Sequence, residues 1–283
     1  MKKIIIVFLG CLIFLASACR SKKDEIVIVP DVQKNHLERN HIKGNVNIIL
    51  TKQYLQQDSA ALKLVSIVQQ EYSLDGYLKR ITSFSETYDT LLIRLIRYDD
   101  LAHETSWIEY VPHGDTIARC IYEYDENHFK SAEKYYQHDS LTLILNFKTD
   151  GEGNPIAMTR KNGEFLLTNK MYYNELGLIN RIEEYDPNGK IFKYFTIDYD
   201  NFGDEVNRRA FKSANNLIEY TYTRYDRDGR LLKVIYEDQL HNNRETSEYS
   251  QHDARLNWLK EIRTVAVGVQ YVRERKITYF DSH

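Results

Sequence analysis

One short phrase returns along this chain at a nearly fixed interval. Tyr225-Asp226-x-x-Gly229 is preceded 26 residues earlier by Tyr199-Asp200-x-x-Gly203, and 26 before that by Tyr173-Asn174-x-x-Gly177. The aromatic that opens the phrase can be followed further: Tyr72, Tyr98, Tyr124, Phe147, Tyr173, Tyr199, Tyr225 and Tyr249 are separated by 26, 26, 23, 26, 26, 26 and 24 residues. A second aromatic falls twelve residues into most units, at Phe84, Tyr110, Tyr136, Tyr185 and Phe211, with Tyr236 one place early. Self-similarity at such a period marks a chain built by laying one supersecondary unit beside the next.

Each unit reads as two strands. Stretches such as "LLIRLIRY", "LTLILNF" and "IEYTYTRY" are rich in β-branched and aromatic residues and are bounded by turn chemistry. The 22 tyrosines fit the same reading, since tyrosine favours strands. After the aromatic closes a strand, an Asp carboxylate can accept from a backbone N–H two residues on. The Gly supplies the positive φ of a type I turn followed by a bulge. Asp186 with Gly189, Asp200 with Gly203 and Asp226 with Gly229 are therefore read as turn makers, neither catalysts nor metal ligands. Two strands in each of eight units predict about sixteen antiparallel strands of roughly 28 Å. An open twisted sheet rarely exceeds ~10 strands without curling. The expected fold is all-β: antiparallel hairpin repeats of about 26 residues forming one long curled sheet or open β shell, its concave side partly filled by Tyr and Phe.

The opening residues obey a different logic. Lys2 and Lys3 precede an apolar run from Ile4 to Leu15, then Ala16, Ser17 and Ala18. That is a secretory signal peptide, too short to span a membrane. Its end at Cys19 resembles the lipobox of bacterial lipoproteins, in which this cysteine is acylated and becomes the mature N-terminus. Arg20 stands where an Asp would resemble an inner-membrane retention signal, and Lys23-Asp24-Glu25 is similar to the export tag of some surface lipoproteins. The expected organisation is a signal peptide over 1–18, a lipid-anchored tether over 19–41 with a short helix around Lys34–Arg39, and a β domain over 42–283. Within the β domain, residues 41–54 are read as the opening strand, and Trp258 in the atypical last unit as closing one end of the core.

Tyr225-Asp226-x-x-Gly229, Tyr199-Asp200-x-x-Gly203, Tyr185-Asp186-x-x-Gly189 and the closing "NWLKEIRT" resemble YD-repeat (RHS-like) proteins, in the small lipoprotein form found in Gram-negative bacteria. The resemblance covers about residues 42–280. It implies a β scaffold on the outer membrane, on its periplasmic or surface face, and it carries no catalytic residues over. Some copies depart from the phrase: Ala102 and His128 stand where Gly would, and Ser250 follows Tyr249.

Known reaction chemistry is hard to find. There is no glycine-rich phosphate loop, G-x-S-x-G or H-E-x-x-H. The nearly balanced charge, formally −3, lacks the footprint of a nucleic-acid binder. Cys120 is read as a small buried hydrophobe rather than a nucleophile. His103, His128 and His252 fall by the first turn of their units, His113 and His138 by the second. Aligned two strands apart, His113 and His138 would be about 9–10 Å from each other, too far for one ion, so no metal and no cofactor are expected. Glu183 and Glu184 are adjacent on a strand and must face opposite ways. Arg160, Lys161, Arg208, Arg209, Lys212, Arg224, Arg227 and Arg230 are read as solvated edge-strand charges.

These readings converge on a non-enzymatic scaffold, held to the membrane through lipid on Cys19, that presents a surface to a glycan or an envelope protein. Two rival expectations stand beside it. One is a carbohydrate-active hydrolase using carboxylates from different repeats. The other is a structural or immunity-type lipoprotein.

Overall fold

The computed structural model describes residues 35–39, 42–57, 60–162, 165–212, 215–265 and 269–281. The signal peptide, Cys19 and most of the tether lie outside the described residues. A short helix, α1 (His36–Arg39), leads into eighteen strands. The first nine are β1 (Val46–Gln57), β2 (Lys63–Tyr72), β3 (Leu78–Phe84), β4 (Thr90–Tyr98), β5 (Glu104–Tyr110), β6 (Thr116–Tyr124), β7 (Lys130–Gln137), β8 (Ser140–Thr149) and β9 (Pro155–Asn162). The second nine are β10 (Phe165–Tyr173), β11 (Ile179–Tyr185), β12 (Ile191–Tyr199), β13 (Glu205–Lys212), β14 (Asn216–Tyr225), β15 (Leu231–Asp238), β16 (Asn243–His252), β17 (Trp258–Val265) and β18 (Val269–Tyr279).

Every strand pairs antiparallel with its sequence neighbours, and β1 pairs with β18 from Val46↔Tyr279 to Gln57↔Val269. The sheet is therefore a closed barrel. This corrects the expected open shell or long curled sheet. The hairpin reading holds, but the accumulated twist brings the last strand onto the first, and closure removes both sheet edges. It also corrects the reading of the basic stripe, because no edge strand exists for it to occupy. Neighbouring members of that stripe point to opposite faces: Arg208 faces inward, beside Glu205 at 2.7 Å, and Arg209 outward, 3.0 Å from Asp198.

Register fixes which face is inside, since directly paired residues share a face. Ile96, Trp107, Cys120 and Tyr135 form one such row. Ile197, Arg208, Thr221, Tyr236 and Glu245 form another. Tyr249, Glu261, Arg273 and Gln53 form a third, across the closure. Cys120 and Glu261 are wholly buried, so these rows line the interior. The opposite face is wet. Lys134 pairs with Glu123, Lys233 with Glu248 and Arg244 with Glu237, all across strands. A Lys or Arg in the middle of a lipid-facing barrel wall costs ~2–4 kcal/mol, so this is the wall of a barrel that stands in water. Among the described residues no helix is long and apolar enough to cross a membrane.

The recurring turns are built as hydrogen-bonded loops. Asp186, Asp200 and Asp226 each accept from the backbone N–H two and four residues on, at 2.8–3.0 Å. Gly189, Gly203 and Gly229 have φ of 77°, 82° and 74°. The degenerate copies keep this geometry without glycine: Ala102, His128 and Leu256 sit at φ 64°, 63° and 69°. In those copies Asp99, Asp125 and Asp253 still accept the same two N–H groups. The side-chain acceptor holds the turn, and glycine only lowers its strain.

A second device explains why the repeated aromatic is tyrosine. Tyr98 donates its hydroxyl to the carbonyl of Leu78 at 2.7 Å, Tyr124 to Glu104 at 2.8 Å, Tyr173 to Pro155 at 2.7 Å and Tyr199 to Ile179 at 2.7 Å. Tyr225 reaches Glu205 at 3.5 Å, and His252 Nε2 lies 3.2 Å from the carbonyl of Leu231. Each acceptor is the first residue of the preceding strand, so every latch ties one turn to the next around the barrel end. Phenylalanine cannot do this, and Phe147 is the one Phe in the row.

Candidate functional site

The eight Asp-type turns all lie at one end of the barrel, because an up-and-down sheet returns there at every second connection. Their loops carry thirteen Asp or Glu and three Arg, so this rim is strongly acidic. Several of these carboxylates are committed to turns yet remain charged. Burial would raise Asp99 and Asp150, but donors from His103 and Asn154 hold both below the ordinary carboxylate value.

The segment before β1 crosses this rim as a strap. The Leu37 N–H donates to the carbonyl of Gly76, and Asn35 to that of Asp75. At its other end Lys43 exchanges two hydrogen bonds with the Asn257 side chain, at 2.8 and 3.0 Å. Leu37 packs with Val46, Ile49 and Tyr72 in a buried cluster. Gly76 leaves no room for a Cβ, which would stand 2.8 Å from the Asn35 side chain.

Beside the strap a cavity of about 610 Å³ opens between α1 and the ends of β4 to β9. Its aromatic wall is Tyr77, Tyr98, Tyr124, Phe129 and Phe147. Tyr98 leans on Tyr77 with ring centres 5.3 Å apart. His103 stacks on Tyr124 at 4.8 Å and on His128 at 5.9 Å. Gly153 allows Phe129 to lie flat, because a Cβ there would come within 2.5 Å of the ring. The cavity sits at the 23-residue unit, where β7 and β8 are joined by the two residues His138 and Asp139 and where Phe147 replaces the latching tyrosine.

Two carboxylates, Glu104 and Glu133, also line it, with Lys130 and His36. Glu133 accepts from Lys130 at 3.0 Å and from the Tyr135 hydroxyl. His36 Nε2 lies 3.7 Å from Glu104. Just behind the wall, Cys120 is wholly buried, and burial together with Glu133 and Glu104 pushes its thiol up to about 12. Burial and Glu104 also push the Tyr122 phenol up. At pH 7 both are neutral, and Cys120 is not a thiolate nucleophile.

The sequence placed His103 and His128 by the first turn, and the structure brings both into this cavity. His113 and His138 belong to the opposite end. Asp186, Asp200, Asp226 and their glycines do not line the cavity. Glu183 and Glu184 separate by face. Glu183 points outward, where the Tyr172 and Tyr185 hydroxyls and Arg181 hold it below the ordinary value against its burial. Glu184 points inward and is raised by burial. Among the described residues no three His, Cys, Asp or Glu gather closely enough to hold a metal ion. Glu104, Glu133 and His36 were missed by the sequence reading. The shortened 23-residue step ending at Phe147 was the signal that could have located the cavity.

No protein-family model matches the chain, and no curated protein matches it. Among solved structures it is similar to a porin-like protein from Bacteroides uniformis, with 12% identity and a TM-score of 0.44, covering 82% of this chain and 96% of that one. It is also similar to the Tc holotoxin pore of Photorhabdus luminescens, with 13% identity and a TM-score of 0.34, covering 76% of this chain and 15% of that one. A LolA superfamily protein from Nitrosomonas europaea aligns at 10% identity and a TM-score of 0.29, over 84% and 88% of the two chains. These are loose likenesses, and the functional reading rests on the site itself.

Proposed function

We propose that this protein is a non-enzymatic envelope lipoprotein, anchored through Cys19 at the outer membrane, whose closed YD-repeat-like barrel binds a glycan at the acidic end. The single observation that carries the reading is the 610 Å³ cavity, whose aromatic wall is interleaved with Glu104, Glu133, His36 and Lys130. Flat rings cover the apolar faces of a sugar, and the fixed polar groups among them set its orientation. The acidic rim favours neutral or amine-bearing glycans over phosphorylated ones. The described chain starts at Asn35, on this same rim, which puts the cavity at the end from which the tether runs.

The test is a glycan array probed with the mature protein and with a Tyr124→Ala variant, beside a crosslinking pull-down from envelope fractions. Binding that falls at least tenfold in the variant supports the glycan reading. Retention of an envelope protein and of no glycan moves the site to that partner, and retention of neither overturns the binding reading.

A hydrolase is the second reading, favoured by one specific observation: Glu104 and Glu133 come from different repeats and line one cavity, as a pair of glycosidase carboxylates would. Turnover of an array-positive glycan that disappears in both Glu104→Gln and Glu133→Gln would install it in place of the first.

A further inference from the structure

On the inner face across the barrel closure, Arg275 on β18 is a cation without a counter-ion. Its guanidinium lies 3.5 Å from the centre of the Trp258 ring, stacked on the indole. Its Nε is buried and has no hydrogen-bond partner, and the same is true of the indole Nε1 of Trp258, which is only 2% exposed. Two adjacent buried donors without acceptors are exceptional, because buried polar groups in folded proteins are almost always paired.

The nearby acid does not supply what Arg275 lacks. Glu261 is wholly buried, but Arg273 Nη1 occupies one of its oxygens at 3.1 Å and the Ser247 hydroxyl occupies the other at 2.8 Å. Arg273 and Glu261 therefore neutralise each other, and one full positive charge is left over. Tyr72 lies within the field of Arg275 and is 3% exposed. Arg275 itself is deep inside the barrel yet keeps some accessible surface, so it borders an internal space rather than close-packed atoms. Burial lowers its guanidinium to about 10, which still leaves it charged at neutral pH. The strap roofs this region: Leu37 packs on Tyr72, and Asn257, next to Trp258, is fastened to Lys43.

We infer that Arg275, Trp258 and Tyr72 form a buried site for a small oxyanion, a phosphate or a carboxylate, held by the guanidinium fork and the indole N–H beneath the strap. The planar fork matches either group with two parallel hydrogen bonds, and stacking on the indole fixes its plane. This site lies apart from the aromatic cavity and does not depend on what that cavity binds.

The test uses the full mature chain carrying Trp107→Phe, which leaves Trp258 as the one tryptophan of the two. Its emission and melting temperature are followed against inorganic phosphate and, separately, sodium acetate, with sodium chloride at matched ionic strength as the reference. A saturable change in emission and a rise in melting temperature are expected with one or both oxyanions. Phosphate alone would mark a phosphate site, acetate alone a carboxylate site, and both a general oxyanion site. Arg275→Lys, which keeps the charge and loses the fork, should weaken binding at least tenfold. Arg275→Met should abolish it while the protein stays folded in anion-free buffer. If that variant does not fold, Tyr72→Phe serves instead and should weaken binding severalfold. No saturable response to either anion, or an unchanged response in Arg275→Met, would overturn the inference.

Discussion

The barrel has a regular arc and an irregular one. From β10 to β15 the units are 26 residues long, glycine stands in each turn, and Tyr173, Tyr199 and Tyr225 each reach the strand before. From β4 to β9 one unit shrinks to 23 residues, Ala102 and His128 replace glycine at left-handed positions, and Phe147 breaks the row of hydroxyl latches. The cavity lies in the irregular arc. A repeat whose copies are identical closes its own surface, because each unit satisfies the next. Room for a ligand arises where one copy stops reaching its neighbour. The same contrast holds on a smaller scale at the closure, where β17, β18 and β1 belong to no standard unit and Arg275 is left without a partner.

The contrast can be broken most severely at glycine. Gly153 has φ 86° and its added Cβ would strike Phe129 at 2.5 Å, whereas Gly177, at φ 71°, faces open space. Gly153→Ala should lose about 2–4 kcal/mol, the sum of left-handed strain and overpacking, and should weaken ligand binding at the cavity. Gly177→Ala should lose about 1 kcal/mol and leave binding intact. Urea unfolding of the two variants checks this, and equal losses would erase the distinction between the arcs.

The latches give the next effect. Tyr199→Phe in the regular arc should cost about 1–2 kcal/mol, because the carbonyl of Ile179 loses its donor. Phe147→Tyr in the irregular arc should not destabilise the fold, and its added hydroxyl should reduce binding at the cavity. Thermal melts and the array together decide whether Phe147 is there to leave space.

Restoring glycine should have a smaller effect of opposite sign. Ala102→Gly, at φ 64°, should stabilise by about 0.5–1 kcal/mol, and the same change at a residue with negative φ should not. The gentlest test is pH. Asp99 and Asp150 have folded pKa values below the model value of 3.8, so their contribution is fully present above about pH 4 and is lost as pH falls through the folded values. Melting temperature between pH 5 and pH 2.5 should fall less steeply in Asp99→Asn than in the unaltered protein. An identical slope would show that the carboxylate charge at this turn adds nothing to its hydrogen bonds.

Much of this architecture was legible beforehand. Hairpins, turn positions and the opposed faces of Glu183 and Glu184 follow from periodicity, since a strand's alternation and a turn's donors and acceptors are set by residues a few places apart. The tyrosine latch was visible only as a composition bias, because its acceptor is a backbone carbonyl about twenty residues back and no side-chain identity announces it. Glu104 gave no signal at all. It turns inward because the strand slips by one at Thr105, where the register shifts from Arg97↔Ser106 to Tyr98↔Glu104, and a slip of one residue reverses the face.

The sequence by itself determined the repeated hairpin, the chemistry of its turns and the aromatic row, all of which depend on contacts within one or two units. Only the tertiary structure decided that the sheet closes, that Glu104 meets Glu133, and that Arg275 stacks on Trp258 with no acid in contact. Closure joins Val46 to Tyr279 and Lys43 to Asn257, 214 residues apart. It rests on twist summed over eighteen strands, and no local pattern of residues carries that sum.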